Sequence, residues 1–215
     1  MINNLKSIAI DGPAASGKSA VGKKLSELLN YDFLDTGIMY RAVTYISISE
    51  LLDPVLVSAY FAKSLLKVKL KGEKNKIHYK NKDITSFLFS DSVDKNVSDI
   101  SKITRVRKNL VKEQINISKI NNIVMVGRDI GTIVLPNSNL KIYLDASIDI
   151  RAKRRSKELG LNSFDVEKKI KLRDVVDSNR KNSPLTIDKD AHLINTDLLN
   201  IDEVVIKIKE LLEDD

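Results

Sequence analysis

Residues 12–19 have the sequence Gly-Pro-Ala-Ala-Ser-Gly-Lys-Ser, which fits the phosphate-loop pattern G-x-x-x-x-G-K-[ST]. The flanking residues also fit: Ser7–Asp11 is a short apolar run typical of a buried strand, and apolar residues recur at helical spacing from Val21 to Leu29. In this context glycines let successive backbone N–H groups point inward, and the N-terminus of the helix adds positive potential. The segment therefore predicts a cradle for the phosphates of a nucleoside triphosphate.

Two side chains of this loop have predicted roles of their own. Lys18 is expected to bring a positive charge to the phosphate that is transferred, and the hydroxyl of Ser19 is expected to bind Mg²⁺ together with waters and phosphates. The residues predicted to contact the triphosphate are Gly12, Pro13, Ala14, Ala15, Ser16, Gly17, Lys18, Ser19 and Ala20.

The rest of the chain alternates short apolar runs with helical patterns. The runs at 123–126, 140–144 and 192–194 are typical of strands buried on both faces, which predicts an α/β fold with a parallel sheet. One stretch differs: between 65 and 85, apolar residues alternate with lysines, and Gly72-Glu73-Lys74-Asn75 is a predicted turn. This period of two predicts an antiparallel hairpin inserted into the α/β core.

Composition excludes several kinds of chemistry. The chain of 215 residues has no cysteine, so disulfides, thiolate metal sites and a cysteine nucleophile are ruled out. Its only histidines, His78 and His192, are far apart, which disfavours a histidine metal centre or a Ser-His-Asp triad. No apolar run is long enough to span a bilayer, and residues 1–11 lack the pattern of a signal peptide, so we expect a cytoplasmic protein without a membrane partner.

The net charge of +7 raises the alternative of a nucleotide-dependent RNA-binding protein. Lysines are scattered along the chain, however, and aromatic residues make up only 5% and do not interleave with them, which favours a solvated lysine-rich surface and no nucleic-acid partner. Only nine of the 36 basic residues are Arg, a residue suited to bidentate phosphate recognition. A GTPase is disfavoured because no N-K-x-D string is present. A kinase for a small phosphorylated acceptor is the favoured interpretation.

At this point the sequence resembles a known family, the bacterial cytidylate kinases, over nearly its whole length. The segments that carry the resemblance are IAIDGPAASGKS (8–19), FLDTGIMYRAV (33–43), RVRKNL (105–110), VGRDIGTIVLP (126–136), KIYLDAS (141–147), RAKRR (151–155), LRDVVDSNRKNSPL (172–185) and INTDLLNIDEVV (194–205). The resemblance implies ATP-dependent phosphoryl transfer to CMP or dCMP, with Mg²⁺, by a monomer. The alternative is a P-loop kinase for another small acceptor, such as UMP, another nucleotide or shikimate.

The resemblance also implies a fold. It is a P-loop kinase α/β three-layer sandwich with a five-stranded parallel sheet in the order 2-3-1-4-5. Within a single domain covering residues 1–215, a β-rich insertion that binds the monophosphate is expected at about 36–107, and a short helical lid at about 151–165.

Site residues follow where this chain matches the family's motifs. The residues implied to be catalytic are Lys18, Arg128, Arg151 and Arg155. Arg154 is implied to bind ATP. The residues implied to bind CMP are Thr36, Tyr40, Arg41, Ser98, Arg107, Arg128, Asp129, Arg173, Asp177 and Arg180.

Spacing adds expectations about the two arginine groups. One side of a helix carries three arginines, Arg151, Arg154 and Arg155. Three clustered guanidiniums are unsuited to a buried face, so we expect them to close over ATP. Arg173, Asp177 and Arg180 are expected to follow the same logic at i, i+4 and i+7 of another helix, with plain salt bridges as the alternative. Similarly, Asp35 either supports the acceptor site or simply caps the next helix.

One stretch departs from the family. Phe87-Leu88-Phe89-Ser90 stands where many relatives have an Arg. Either an acceptor contact is missing or this stretch packs as an apolar element.

Overall fold

The computed structural model describes residues 5–70, 75–180 and 183–213. The strands are β1 Ser7–Asp11, β2 Asp32–Asp35, β3 Leu66–Lys69, β4 Lys76–Tyr79, β5 Lys82–Asp83, β6 Ile123–Val126, β7 Leu140–Asp145 and β8 His192–Asn195. The α-helices are α1 Lys18–Leu29, α2 Gly37–Ser49, α3 Pro54–Ser58, α4 Asp91–Ile100, α5 Thr104–Ser118, α6 Ile148–Leu159, α7 Ser163–Ser178 and α8 Ile201–Glu213. A 3₁₀ turn covers Thr85–Phe89, and a π-helical turn covers Ile130–Val134.

The chain divides into two compact units. We call Met1–Leu5 with Asp32–Asn122 the inserted unit, and Lys6–Tyr31 with Ile123–Asp215 the P-loop unit. The narrower bounds expected from the resemblance, about 36–107 for the insertion and about 151–165 for the lid, remain predictions.

The P-loop unit is built on parallel strands with buried apolar faces. β1 pairs with β6 on one side and with β7 on the other, and β8 pairs with β7. Ile8, Ala9 and Ile10 of β1 are almost completely buried, as is every residue of β6, and α1 packs on these two strands. These runs form strands because both faces of a central parallel strand are covered, which favours continuous β-branched and apolar sequence.

The main sheet has five strands in the order β2-β6-β1-β7-β8. Counted along the chain without the small sheet, this is the order 2-3-1-4-5, so the expected five-stranded parallel sheet is confirmed. Such a sheet collects ligands beyond the carboxyl ends of its strands. In the P-loop unit that edge is continued by backbone hydrogen bonds from Gly127 N–H to Ile10 O (3.0 Å) and from Thr196 N–H to Asp145 O (2.8 Å).

The inserted unit combines helices with a small antiparallel sheet in the order β3-β4-β5. Leu66 pairs with Tyr79 and Lys69 with Lys76, which confirms the predicted hairpin. Leu66 is buried while Lys67 and Lys69 are exposed, as the alternation predicts. The predicted turn at 72–75 lies mostly outside the described residues, which resume at Asn75.

No helix in the described part of the chain has the length and apolar character needed to cross a membrane.

Candidate active site

The backbone of residues 12–17 folds into the cradle that the motif predicts. Gly12 has φ +147°, and a Cβ there would lie 2.1 Å from the carbonyl oxygen of Leu144, so only glycine fits against β7. Ala15 has φ +61°, a left-handed conformation that is uncommon for a residue with a side chain. Strain of this kind persists where the surroundings impose it and often marks a functional site.

Lys18 folds back over the loop. Its side chain is buried, and Nζ donates to the Pro13 carbonyl oxygen at 2.5 Å and to Ser16 Oγ at 3.3 Å. The helix α1 begins at Lys18, its cap is Gly17 in the left-handed region, and no acidic residue stands in its first turn. Fixed positive charge and helix N–H groups therefore converge on one place, which suits a phosphate.

Asp11, the last residue of β1, anchors a neighbouring segment. Its carboxylate accepts hydrogen bonds from Ile130 N–H at 2.8 Å and Gly131 N–H at 2.7 Å. Burial raises the pKa of Asp11 to about 6, against the lowering effect of these two hydrogen bonds. Asp11 thus fixes the turn that follows Arg128 and Asp129, the two site residues predicted just beyond the end of β6.

Arg128 and Arg180 meet on one buried carboxylate. Arg128 Nε lies 2.8 Å from Asp177 Oδ2, and Arg180 pairs with the other oxygen of Asp177, whose side chain is 1% exposed. Burial by itself raises the pKa of Asp177, but the charges of Arg128, Arg180 and Arg173 outweigh it and leave that pKa lowered. The structure therefore brings these four predicted acceptor residues into one electrostatic cluster.

The predicted i, i+4, i+7 arrangement is wrong for Arg180. α7 ends at Ser178, so Arg180 lies beyond the helix. It still pairs with Asp177, which lies only three residues earlier in the chain.

The expectation that the arginine group of α6 is unsuited to burial is wrong for Arg151. This side chain is buried, and its Nε donates to the Ala146 carbonyl oxygen at 2.8 Å. Its Nη1 pairs with Asp174 at 2.5 Å and donates to the Ala14 carbonyl oxygen at 3.3 Å. Burial is tolerated because the guanidinium is paired and hydrogen-bonded.

The other two arginines of this group have separate partners. Arg154 Nη1 donates to Thr196 Oγ1 at 2.9 Å and Nη2 to the Thr196 carbonyl oxygen at 2.5 Å, while Arg155 pairs with Glu158 on the surface of α6. Thr196 itself is buried and donates to the Asp145 carbonyl oxygen at 3.1 Å. The three guanidiniums of α6 are therefore not gathered on one partner.

In the inserted unit, Tyr40 and Arg107 are brought together. The guanidinium carbon of Arg107 lies 5.3 Å from the centre of the Tyr40 ring, and Nη1 donates to the Ser101 carbonyl oxygen at 3.3 Å. Thr36 is buried at the start of α2. Ser98 Oγ is buried and finds no hydrogen-bond partner among the described residues, an orphan polar atom of the kind that a ligand can satisfy.

The stretch 87–90, which differs from the family pattern, packs through its apolar side chains. Leu88 is fully buried, and the Phe87 ring stacks on Tyr45 with centroids 5.4 Å apart. Arg41 donates to the Leu88 carbonyl oxygen at 2.9 Å and pairs with Asp94 at 2.7 Å, with its guanidinium carbon 5.0 Å from the Phe89 ring centre.

Asp35 contacts the start of α2, and its part in the acceptor site stays a prediction. Its Oδ1 accepts a hydrogen bond from Gly37 N–H, the first residue of α2, at 3.0 Å.

Sequence reasoning missed Asp11, Asp174 and Thr196. Two of them carried a usable signal, because Asp11 and Thr196 directly end or follow a predicted strand, where the carboxyl edge of the sheet lies. Asp174 lies in the segment 172–185 that carries the resemblance, but the segment does not indicate its partners, since Arg151 and Ala14 are 23 and 160 residues away in sequence.

A triphosphate cradle at the head of a parallel sheet, with paired Arg and Asp side chains at the same edge, defines this protein as a P-loop phosphotransferase. The family model described as "Cytidylate kinase" matches residues 8–214. The chain therefore belongs to the cytidylate kinase family, as the resemblance led us to expect.

Individual relatives agree. The chain is 42% identical to a cytidylate kinase of Clostridium botulinum strain Okra, covering 97% of this chain and 98% of that protein. It is also 42% identical to the cytidylate kinase of Caldanaerobacter subterraneus subsp. tengcongensis, covering 99% of this chain and 96% of that protein. A solved structure of an uncharacterized protein from Eubacterium ventriosum shares the fold, with a TM-score of 0.53 at 17% identity and coverage of 97% and 98%.

Proposed function

We propose that this protein transfers the γ-phosphoryl group of ATP to CMP or dCMP, giving ADP and CDP or dCDP. The observation that carries the proposal is the buried Lys18 amine, held over a strained phosphate loop whose following helix lacks an acidic first turn. Family membership selects the acceptor. The activity belongs to pyrimidine nucleotide metabolism, and we propose a cytoplasmic monomer.

The residues around the loop fit the triphosphate of ATP. A Cβ added at Gly17 would meet no atom within 4 Å, so the cradle is open in front of the first turn of α1. The backbone N–H groups from Gly12 to Ala20, apart from Pro13, which has none, and the Lys18 amine would bind the phosphates. Arg154 donates to Thr196 Oγ1, which lies 3.4 Å from the carbonyl oxygen of Ser16 in the loop. These two contacts support the proposed role of Arg154 in binding ATP.

Mg²⁺ would enter with the nucleotide. Among the described residues, no group of three or more His, Cys, Asp or Glu side chains could hold a metal ion. The donor set instead fits an ion bound mainly by phosphates and waters, as Mg²⁺ is in kinases, with the Ser19 hydroxyl as its protein ligand. Bound Mg²⁺ neutralises charge on the phosphates during transfer.

For the acceptor, we propose roles for the residues that the resemblance implies. In the P-loop unit, Arg128, Arg173 and Arg180 would bind the CMP phosphate, while Asp129 and Asp177 would contact the base or sugar. In the inserted unit, Thr36, Tyr40, Arg41 and Arg107 would lie on the phosphate side, and the unsatisfied hydroxyl of Ser98 would bond the cytosine edge. The lowered pKa of Asp177 keeps its carboxylate ionised, so it can accept a hydrogen bond from a sugar hydroxyl.

Catalysis then requires alignment and charge neutralisation rather than a general base. A phosphate monoester is largely dianionic at neutral pH, since its second pKa is about 6. The acceptor oxygen is therefore already a nucleophile. Lys18, Arg128, Arg151 and Arg155 supply fixed positive charge as the phosphoryl group moves, which is the main protein contribution in phosphoryl transfer.

A panel of acceptors tests the assignment. ADP release from ATP and Mg²⁺ would be followed by a coupled assay with CMP, dCMP, UMP, AMP, GMP and shikimate, and CMP and dCMP are expected to give the highest kcat/KM. A higher kcat/KM for another acceptor would replace the proposed substrate. Salt-dependent binding of labelled RNA, without ADP release on any acceptor, would instead favour the RNA-binding alternative.

A further inference from the structure

Asp174 connects three segments of the P-loop unit. It lies on α7, where one carboxylate oxygen pairs with Arg151 Nη1 of α6 at 2.5 Å. The other oxygen accepts a longer hydrogen bond, 3.4 Å, from Ala14 N–H in the phosphate loop. Neither the sequence motif nor the assigned acceptor residues give this side chain a role.

The contacts of Arg151 leave its guanidinium little freedom. Nε is fixed by the Ala146 carbonyl oxygen, at the N-terminal end of α6, and Nη1 by Asp174 and the Ala14 carbonyl oxygen. The Arg151 side chain is 9% exposed and that of Asp174 is 22% exposed, so solvent screens this pair less than it would a surface pair. Charge-assisted hydrogen bonds of a planar guanidinium impose both distance and orientation.

We propose that Asp174 is a positioning residue, which acts through Arg151 to hold that guanidinium against the phosphate loop. The inference rests on the proposed function, because Arg151 is assigned there to stabilise the phosphoryl group in transfer. Asp174 also bonds the loop directly at Ala14, so one carboxylate aligns the arginine and the loop relative to each other. A residue with this role affects the rate of transfer more than it affects the binding of ATP.

The negative charge of Asp174 allows a positioning role to be distinguished from general structural support. The carboxylate of Asp174 is negative and lies at a loop that receives a triphosphate, so it opposes ATP binding in the ground state. Replacing it by the neutral isostere Asn is therefore expected to leave the KM for ATP unchanged or lower it. Loss of structural support would do the reverse, because a distorted loop binds ATP more weakly.

The matched control is Glu167, another carboxylate on α7. It pairs with Lys171 four residues away, and its side chain is 28% exposed, close to the value for Asp174. It differs in its partner, because Lys171 is an exposed residue of the same helix. Glu167→Gln is therefore expected to change kcat less than twofold.

The kinetic test compares Asp174→Asn, Asp174→Glu and Glu167→Gln with the unmodified protein. For Asp174→Asn we expect kcat to fall by roughly 10- to 100-fold, as small misplacements of catalytic groups do, with a KM for ATP that does not rise. Asp174→Glu keeps the charge and should recover part of the rate. A kcat for Asp174→Asn within twofold of the unmodified protein, or a loss shared by Glu167→Gln, would overturn the proposal.

A double-mutant cycle with Arg151→Ala tests whether the effect passes through Arg151. If it does, adding Asp174→Asn to Arg151→Ala should change kcat less than twofold, whereas independent effects would multiply. Multiplied losses would overturn the proposal.

A spectroscopic readout needs no activity. The ¹⁵N–¹H signal of Arg151 Nη1, the nitrogen that contacts Asp174, is assigned through its loss in Arg151→Lys and should exchange faster with water in Asp174→Asn than in Glu167→Gln. An unchanged exchange rate would overturn the positioning role. Absence of CMP-dependent ADP release in the unmodified protein would instead count against the proposed function, and the spectroscopic result would still decide the role of Asp174.

Discussion

At the scale of single residues, the site depends on buried charges that are held by specific partners. Lys18, Asp11, Arg151 and Asp177 are all buried, and each has a partner in the P-loop unit. Burying a charge is costly unless it is paired or hydrogen-bonded. These partners therefore both preserve the fold and orient the groups that would contact phosphate.

Lys18→Ala is expected to lower kcat by at least about 100-fold, the scale of losing one preorganised charge in a transition state. The far-ultraviolet circular dichroism spectrum should stay the same, since the hydrogen bonds of this amine to Pro13 and Ser16 lie within a loop and not in a helix or strand. Lys23→Ala is the control, because Lys23 lies on the same helix with its side chain 37% exposed and paired to Glu27. A Lys18→Ala protein with an unchanged rate would remove the loop from the mechanism.

Asp11 gives a prediction about pH. Its pKa is raised from 3.8 to about 6 by burial, so the folded protein binds a proton more tightly than the unfolded chain. Between about pH 4 and pH 6 the contribution of Asp11 to stability therefore falls as the pH rises. Asn cannot titrate, so Asp11→Asn loses no stability for this reason. We therefore expect the stability of Asp11→Asn, relative to that of the unmodified protein, to rise over this pH window by up to about 3 kcal/mol.

Urea unfolding of both proteins at several pH values measures this difference. A difference that stays constant from pH 4 to pH 7 would show that Asp11 keeps its ordinary pKa in the folded state.

At the scale of elements, sequence patterns located the helices and strands because each pattern reflects burial. The alternation of Leu66 and Val68 with lysines gave the hairpin, and the apolar runs gave β6, β7 and β8. The patterns failed at Arg151 and Arg180. Helical spacing says which residues share a face, but it does not say that a guanidinium will be buried by partners on another helix, or that α7 stops at Ser178.

One contact between elements of the inserted unit is testable. Asn75 is buried just before β4, and its amide donates to the Phe33 carbonyl oxygen (2.7 Å) and accepts from Asp35 N–H (2.8 Å), which ties the hairpin to β2. Asn75→Ala would remove both of these hydrogen bonds, so we expect the free energy of unfolding to fall by about 1–3 kcal/mol.

The control for Asn75 is Asn96→Ala. Asn96 is exposed on α4 and its amide donates to the Ser92 carbonyl oxygen of the same helix, so its replacement should change stability by no more than about 0.5 kcal/mol. Equal effects of the two substitutions in urea unfolding would show that the Asn75 bonds contribute nothing.

At the scale of the whole molecule, the place of the phosphate loop was predictable from its motif between a strand and a helix. The order of the sheet was predictable from the resemblance to the cytidylate kinases, whereas the apolar runs by themselves predicted only a parallel sheet. Individual partners were not predictable in the same way. The pairing of Asp177 with Arg128 and of Arg154 with Thr196 joins residues 49 and 42 positions apart, and only the folded chain brings them together.

The most direct test of the central claim is product identification. Purified protein would be incubated with ATP, MgCl₂ and CMP, and the nucleotides separated by ion-exchange chromatography, with Lys18→Ala as the inactive control. ADP and CDP are expected in equal amounts that increase with time and with enzyme concentration. Unchanged CMP, or ADP formed without CDP, would contradict the central claim.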